Sequence, residues 1–138
     1  MVQSRAQARD DILAMLKAAA VYPATALFVI YDDTKKDKPS SGTWLRASIK
    51  HGRGSRATLG PNALHTQSGI LFVQIFTEAG GGLSDNDAIA KIIEDAYRGK
   101  TSQNGVVFRD IVTKEVGQDG IWFQSNVEVE FEYDLVGA

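Results

Sequence analysis

The stretch "SGILFVQIFTEAGGGLSDNDAIAKIIEDAYRGK", residues 68–100, joins an apolar run to a triple glycine and then to a helical pattern. Strand, glycine-rich turn and helix in that order is also how phosphate-binding loops are built. The reading of this stretch therefore sets both the fold and the function class. A P-loop needs a lysine and a Ser/Thr directly after its glycines, and no such pair follows Gly82. The dinucleotide fingerprint fails too, because Asp85 stands where its third glycine belongs. Charge decides the matter. Ser84, Asp85, Asn86 and Asp87 open the helix, so carboxylates already occupy the positive end of its dipole and would repel a phosphate. Gly80, Gly81 and Gly82 are read as a turn, with Ser84 as N-cap and Asp87 where a capping box places an acid or amide.

Outward from this turn the pattern is regular. "ILFVQIFTE" (70–78) is apolar on both faces for most of its length, which places it in the middle of a sheet. Residues 85–98 put Ile89, Ile92, Ile93, Ala96 and Tyr97 on one stripe and stop at Gly99. Residues 3–20 form an earlier helix with Ile12, Leu13, Leu16, Ala19 and Ala20 on one face, ended by Pro23. "TALFVIYDD" (25–33) is a first strand. "TWLRASIKHG" (43–52) is a second, with Leu45, Ala47 and Ile49 alternating against Trp44, Arg46, Ser48 and Lys50. "GVVFRDIVTKEVG" and "IWFQSNVEVEFEYD" are two more, joined by the hairpin signal "GQDG". In the last, Phe123, Val127, Val129, Phe131 and Tyr133 point one way, and Gln124, Asn126, Glu128, Glu130 and Glu132 the other. The segments 32–42 and 52–66 read as long irregular connections. The expected fold is a single α+β domain over 1–138, in the order α-β-β-β-α-β-β, with a mainly antiparallel five-stranded sheet and two helices.

Composition narrows the function. The 138 residues are 43% hydrophobic and 23% charged, enough for one core without staples. There is no cysteine, which excludes disulfides, thiolate metal sites and cysteine nucleophiles. "AAAVYPATALFVIY" (18–31) is too short to span a bilayer, contains Pro23 and runs into Asp32 and Asp33. The N-terminus lacks the basic-then-apolar order of a signal peptide, so a soluble protein with no membrane partner is expected. Net charge is only −2, yet it is unevenly placed. From Lys38 to Thr77 there is no acid, while Lys38, Arg46, Lys50, Arg53 and Arg56 are basic; from Glu78 onward twelve acids face five bases. Such asymmetry points to charged partners or self-association.

Chemical motifs are sparse. His51 and His65 lie in acid-free sequence with no further ligand nearby, and read as ordinary surface histidines. Glu128, Glu130 and Glu132 sit ~7 Å apart along one strand face. They could hold a metal or share acid/base work, but a solvated strand face or an acidic binding surface has the same pattern. Ser48 and Ser125 lack a nucleophile elbow. The basic stretch Arg46–Arg56 lacks the interleaved aromatics and overall positive charge of a sequence-specific DNA binder. The residues alone describe a non-enzymatic α+β module with complementary charged regions and no cofactor.

Three segments, "WLRASIKHGRGSRATLG", "SGILFVQIFTEAGGGLSDNDAIAKIIEDAYRGKT" and "GVVFRDIVTKEVGQDGIWFQSNVEVEFEYD", resemble in their order the small tail-terminator, or tail-completion, proteins of long-tailed phages and prophages. The matching pieces are a W-[LV]-R strand, a G-x-G/R loop, a T/S-G apolar strand, G-x-G-L-S before a helix, and a W-F-Q strand ending in F-E-Y, across roughly residues 40 to 134. The family pattern often carries an arginine just before the T/S-G pair, where this chain has Gln67. The resemblance implies a virion tail protein, assembled in the host bacterial cytoplasm, that caps the finished tail tube as a homo-hexameric ring. Such a ring stops polymerisation of the tail tube protein and presents a surface to head–tail joining proteins. DNA passes through its channel without specific binding. The resemblance brings no catalytic residue, metal or cofactor with it. Ring contacts match one patch of a subunit to a different patch of the next, and Arg46, Lys50, Arg53 and Arg56 against Glu128, Glu130 and Glu132 are the candidates. Alternatively the glutamates line the DNA channel, or the two irregular connections order on assembly. Another neck or tube component of similar fold, and less readily a metal-dependent enzyme on the glutamate face, are the competing readings.

Overall fold

The computed structural model describes residues 2–21, 28–31, 43–56, 63–80 and 82–136. Two helices, α1 (Arg5–Val21) and α2 (Ser84–Tyr97), pack on one sheet built from β1 (Phe28–Tyr31), β2 (Trp44–Arg56), β3 (Leu64–Glu78), β4 (Val107–Asp119) and β5 (Trp122–Val136). In space the strands run β1-β2-β3-β5-β4, which is not their chain order. The domain is a small α+β unit, as the sequence pattern predicts. The sheet's composition differs from the expectation: four strands, β2 to β5, are antiparallel, and β1 is a four-residue parallel edge on β2. A parallel neighbour needs a crossover of about a dozen residues, and positions 32–43 supply that length.

β3 sits between β2 and β5, the central place its two-sided apolar pattern predicts. β3 and β5 pair without a slip from Leu64↔Val136 to Glu78↔Trp122. Fifteen residues of strand reach roughly 50 Å, whereas the fourteen residues of α2 span only about 21 Å. The helices therefore cover only part of the sheet. Along β3 the alternation of buried and half-buried residues begins at Leu71, and residues 64–70 are half-buried throughout.

That far end corrects the reading of 52–66 as an irregular connection. Residues 53–56 and 64–69 belong to β2 and β3 and pair as Gly54↔Gln67, Ser55↔Thr66 and Arg56↔His65, after a bulge between His51 and Gly54. Polar side chains on both faces hide a strand in sequence, but backbone pairing to a neighbour suffices to hold one. Positions 57–62, the predicted loop 32–42, Pro23 and Gly81 lie outside the described residues. At β4–β5 the strands run further than "GQDG" suggests. Gly117 opens a bulge at φ 112°, and the turn itself is Gly120–Ile121.

The main core lies between helices and sheet. Ala8, Ile12 and Leu16 of α1 and Ile89, Ala90, Ile93 and Tyr97 of α2 meet Leu45, Ala47, Ile49, Leu71, Val73, Ile75, Val127, Val129 and Phe131. Three polar contacts fix the helices in place. Tyr97 donates its hydroxyl to the Ile12 carbonyl at 2.8 Å, and burial pushes its pKa up, so it stays a donor. Asp11 accepts from Ser102 Oγ at 2.7 Å and from Asn104 N at 2.9 Å and Nδ2 at 2.8 Å. Burial alone would raise the Asp11 pKa, but these bonds outweigh it and hold the carboxyl below its usual range. Asn86, 2% exposed, donates to Thr77 Oγ1 at 3.3 Å and accepts from Ser125 Oγ, tying the start of α2 to β3 and β5. Gly69 lets the sheet close tightly, since a Cβ there would lie 2.6 Å from Phe131 Cζ and 2.5 Å from the Lys50 carbonyl. That is the physical content of the T/S-G pair.

Candidate interaction surface

The helices cover one face of the sheet and leave the other bare of helix. Register decides which side chains share the bare face. Lys50, Ile70 and Glu130 lie in one cross-strand row, and Ser48, Phe72, Glu128 and Val112 in the next. A third row holds Arg46, Gln74, Asn126 and Lys114. The bare face thus collects residues that the sequence placed in two separate patches. Basic residues stand on β2 and glutamates on β5, about 10 Å apart across β3.

The glutamates do not act as one group. Lys114 Nζ meets Glu128 Oε2 at 3.0 Å, and Arg109 pairs with Glu132. Glu130 is exposed and has no ion-pair partner among the described residues. Bases on β4 thus neutralise two of the three. Among the described residues no group of three or more His, Asp or Glu side chains is gathered closely enough for a metal ion. The row reads as part of a charged surface, and the metal-enzyme reading finds no ligand cage.

At one end of the bare face is a small aromatic cluster that the pattern of alternation misses. Trp44 stacks on Phe76 at 4.1 Å and meets Trp122 edge-on at 6.0 Å, and all three are buried. Arg46 lies over the Trp44 ring at 5.3 Å, so this predicted interface residue is partly held by an aromatic face. Lys50 lies over Phe72 at 5.9 Å, and Ser48, Lys50, Phe72, Gln74 and Asn126 line a shallow polar depression of about 170 Å³. Arg53 is exposed at the bulge, its carbonyl accepting from Ser68 Oγ at 3.2 Å, and Arg56 ends β2.

The glycine turn is a turn, but its cap differs from the expectation. Gly80 and Gly82 take φ of 92° and 85°, a region open to glycine at little cost. Ala79 N donates to the Ile121 carbonyl at 2.8 Å, fastening this turn to the β4–β5 hairpin. Ser84 is the first helical residue and not the N-cap. Leu83 holds the cap position with no side-chain hydrogen bond, and its carbonyl accepts from Asp87 N at 2.9 Å. Asp85 and Asp87 remain in the first turn and complement the helix dipole there. The side-chain cap appears instead on α1, where Ser4 Oγ accepts from Gln7 N at 3.1 Å and Gln7 Oε1 accepts from Gln3 N at 2.7 Å. The Ser-x-x-Gln spacing signals it in sequence.

His51 also departs from its sequence reading. It is half-buried on the helix side, its Nε2 2.7 Å from the Tyr133 hydroxyl and its ring edge-on to Phe131 at 5.5 Å. Burial, then the nearby Arg5 and Arg9, lower its pKa. His65 lies on β3 opposite Arg56 and Leu135.

Among the described residues no helix is long and apolar enough to cross a membrane. The comparisons with known proteins bear on the whole chain. One solved structure is similar to it with a TM-score of 0.61 at 21% identity, over 94% of this chain and 96% of its own. A second, from the virion of a native gene transfer agent particle, is similar with a TM-score of 0.56 at 20% identity, over 94% of each. At these identities the likeness speaks for the fold. No curated protein matches the sequence. The profile of the phage tail terminator proteins matches residues 10–131, nearly the whole length. The chain therefore belongs to the phage tail terminator protein family, and is a structural protein of the virion tail.

Proposed function

We propose that the protein closes as a ring of six copies on the finished tail tube, ends polymerisation of the tube protein and presents a surface to the head–tail joining proteins. The observation that carries this reading is the family match over residues 10–131. Charge placement supports it. The β2 side of the sheet bears Arg46, Lys50 and Arg53, with Arg56 at the strand's end, and the β5 side bears Glu128, Glu130 and Glu132. Neighbours in a ring meet through two different patches, and the basic residues of β2 with the unpaired Glu130 across the sheet suit such contacts. Among the described residues β2 beyond Ala47 has no strand on its outer side.

The test is solution mass by light scattering across protein concentration and salt, alone and with purified tail tubes. A ring, or a salt-sensitive monomer that binds tube ends and stops their growth, is the expected result. A monomer indifferent to both salt and tubes would overturn the reading.

A further inference from the structure

We infer that Arg5 and Arg9, in the first two turns of α1, form a docking site for carboxylates of a second copy of this chain, presented by Asp110 and Glu115 on the edge strand β4. The inference rests on the ring reading and names the contact that closes it.

The docking side has no ion pair among the described residues, although Arg5 hydrogen-bonds the Tyr133 hydroxyl. Arg5 and Arg9 lie one turn apart at the start of α1, whose first turn holds no acid. Cations at the positive end of a helix dipole are adverse, and among the described residues neither arginine has an ion-pair partner. Of the two acids that follow Arg9 on the same helix, Asp11 is taken by Ser102 and Asn104, and Asp10 is exposed and forms no ion pair among the described residues. Around His51 the charged and titratable groups are Arg5 and Arg9 from α1, Tyr133 from β5, and Lys50 and Arg53 along its own strand. From β3 it faces Gly69, which carries no charge. Among the described residues no acid is near enough to shift the His51 pKa. The His51 Nδ1 atom is buried and Nε2 meets the Tyr133 hydroxyl, so the imidazole lies beside the arginines without itself being exposed to an incoming carboxylate.

The presenting side has the opposite imbalance. β4 ends the sheet, and its two bases are already engaged, Arg109 by Glu132 and Lys114 by Glu128. Asp110 and Glu115 are exposed and without an ion-pair partner among the described residues. The strand therefore offers outward negative charge along a 13-residue edge. The two sides are different patches of one subunit. α1 runs across the helix-covered face of the sheet, with Lys17 over the Tyr31 ring at 5.1 Å, Asp11 bonded to Ser102 and Asn104, and Arg5 and Arg9 near His51 and Tyr133. β4 forms one margin of the sheet. A contact between them is head-to-tail, the kind that closes rings.

Charge reversal with rescue tests the pairing. Self-association of the full chain is measured by sedimentation equilibrium for the wild type, for Arg5→Glu/Arg9→Glu, for Asp110→Lys/Glu115→Lys, and for all four changes together. Each double variant should weaken association about tenfold or more, and the fourfold variant should recover it. The fold is monitored by circular dichroism. Glutamates at the start of α1 suit the helix dipole, whereas losing the Arg5–Tyr133 hydrogen bond works against it, so the net change in melting should be small. Should that variant fail to fold, Arg5→Gln/Arg9→Gln removes the same charges and is read the same way. Wild-type rings with unimpaired Arg5→Glu/Arg9→Glu rings would overturn this inference and leave the ring reading standing. Failure of the fourfold variant to recover would also overturn it. Rings that persist while retention of a DNA duplex is lost would assign the arginines to phosphate and likewise overturn it. A wild type that never assembles, even on tubes, would sink the ring reading itself.

Discussion

The two faces of the sheet use the same strands in different ways. Under the helices, side chains alternate inward as one continuous apolar set running from Leu45 on β2 to Phe108 on β4. On the bare face the same strands present Arg46, Lys50, Phe72, Gln74 and the glutamates, with a closed aromatic cluster only at the Trp44 end. The difference teaches where stability and recognition reside. The helix face follows the hydrophobic effect and fixes the fold. The bare face, freed from packing, can carry charge that is opposite on its two sides.

Neighbouring residues on β3 put that contrast to its hardest test. Leu71 is fully buried under the helices, and Phe72, next along the strand, is half-buried on the bare face. Leu71→Ala should cost about 2–5 kcal/mol by chemical denaturation. Phe72→Ala should cost clearly less, despite removing a larger side chain. Equal losses would mean that the bare face is packed as tightly as the core. A second, smaller effect tests the close approach of the strands from the helix side. Gly69→Ala should destabilise by roughly 1–3 kcal/mol through overpacking against Phe131 and the Lys50 carbonyl, read as a lowered melting temperature. A neutral result would show that Phe131 can shift aside. The smallest effect belongs to the bare face. Lys114→Ala removes the partner of Glu128 and should cost only about 0.2–1 kcal/mol, with the cost shrinking in high salt. A loss as large as that of Leu71→Ala would make this pair part of the structural core.

How much was legible in the sequence follows from the same division. Periodicity marked both helices and the inward sides of β2 and β5, because a buried face leaves an apolar repeat of 3.6 or 2. It could not mark residues 53–56 and 64–69, whose two faces are both polar and which are strands only because their backbones pair. Nor could it mark Asn86 or Asp11. A buried asparagine or a hydrogen-bonded aspartate looks in sequence like any surface polar residue until its partners, Thr77 with Ser125 or Ser102 with Asn104, arrive from distant positions. His51 was misplaced for the same reason, since Tyr133 lies 82 positions away.

By itself, then, the sequence determined the α+β class, the chain order of its elements, the glycine turn before α2, and the family, since local propensity and short ordered motifs are properties of the chain. Tertiary structure alone decided that β1 lies parallel at the edge and that Trp44 is buried on the otherwise polar face. It also decided that Lys114 and Arg109 neutralise two glutamates, while Arg5, Arg9 and His51 meet at one corner. Each of these depends on which strands are neighbours. Register across the sheet, not order along the chain, sets which charges and rings meet.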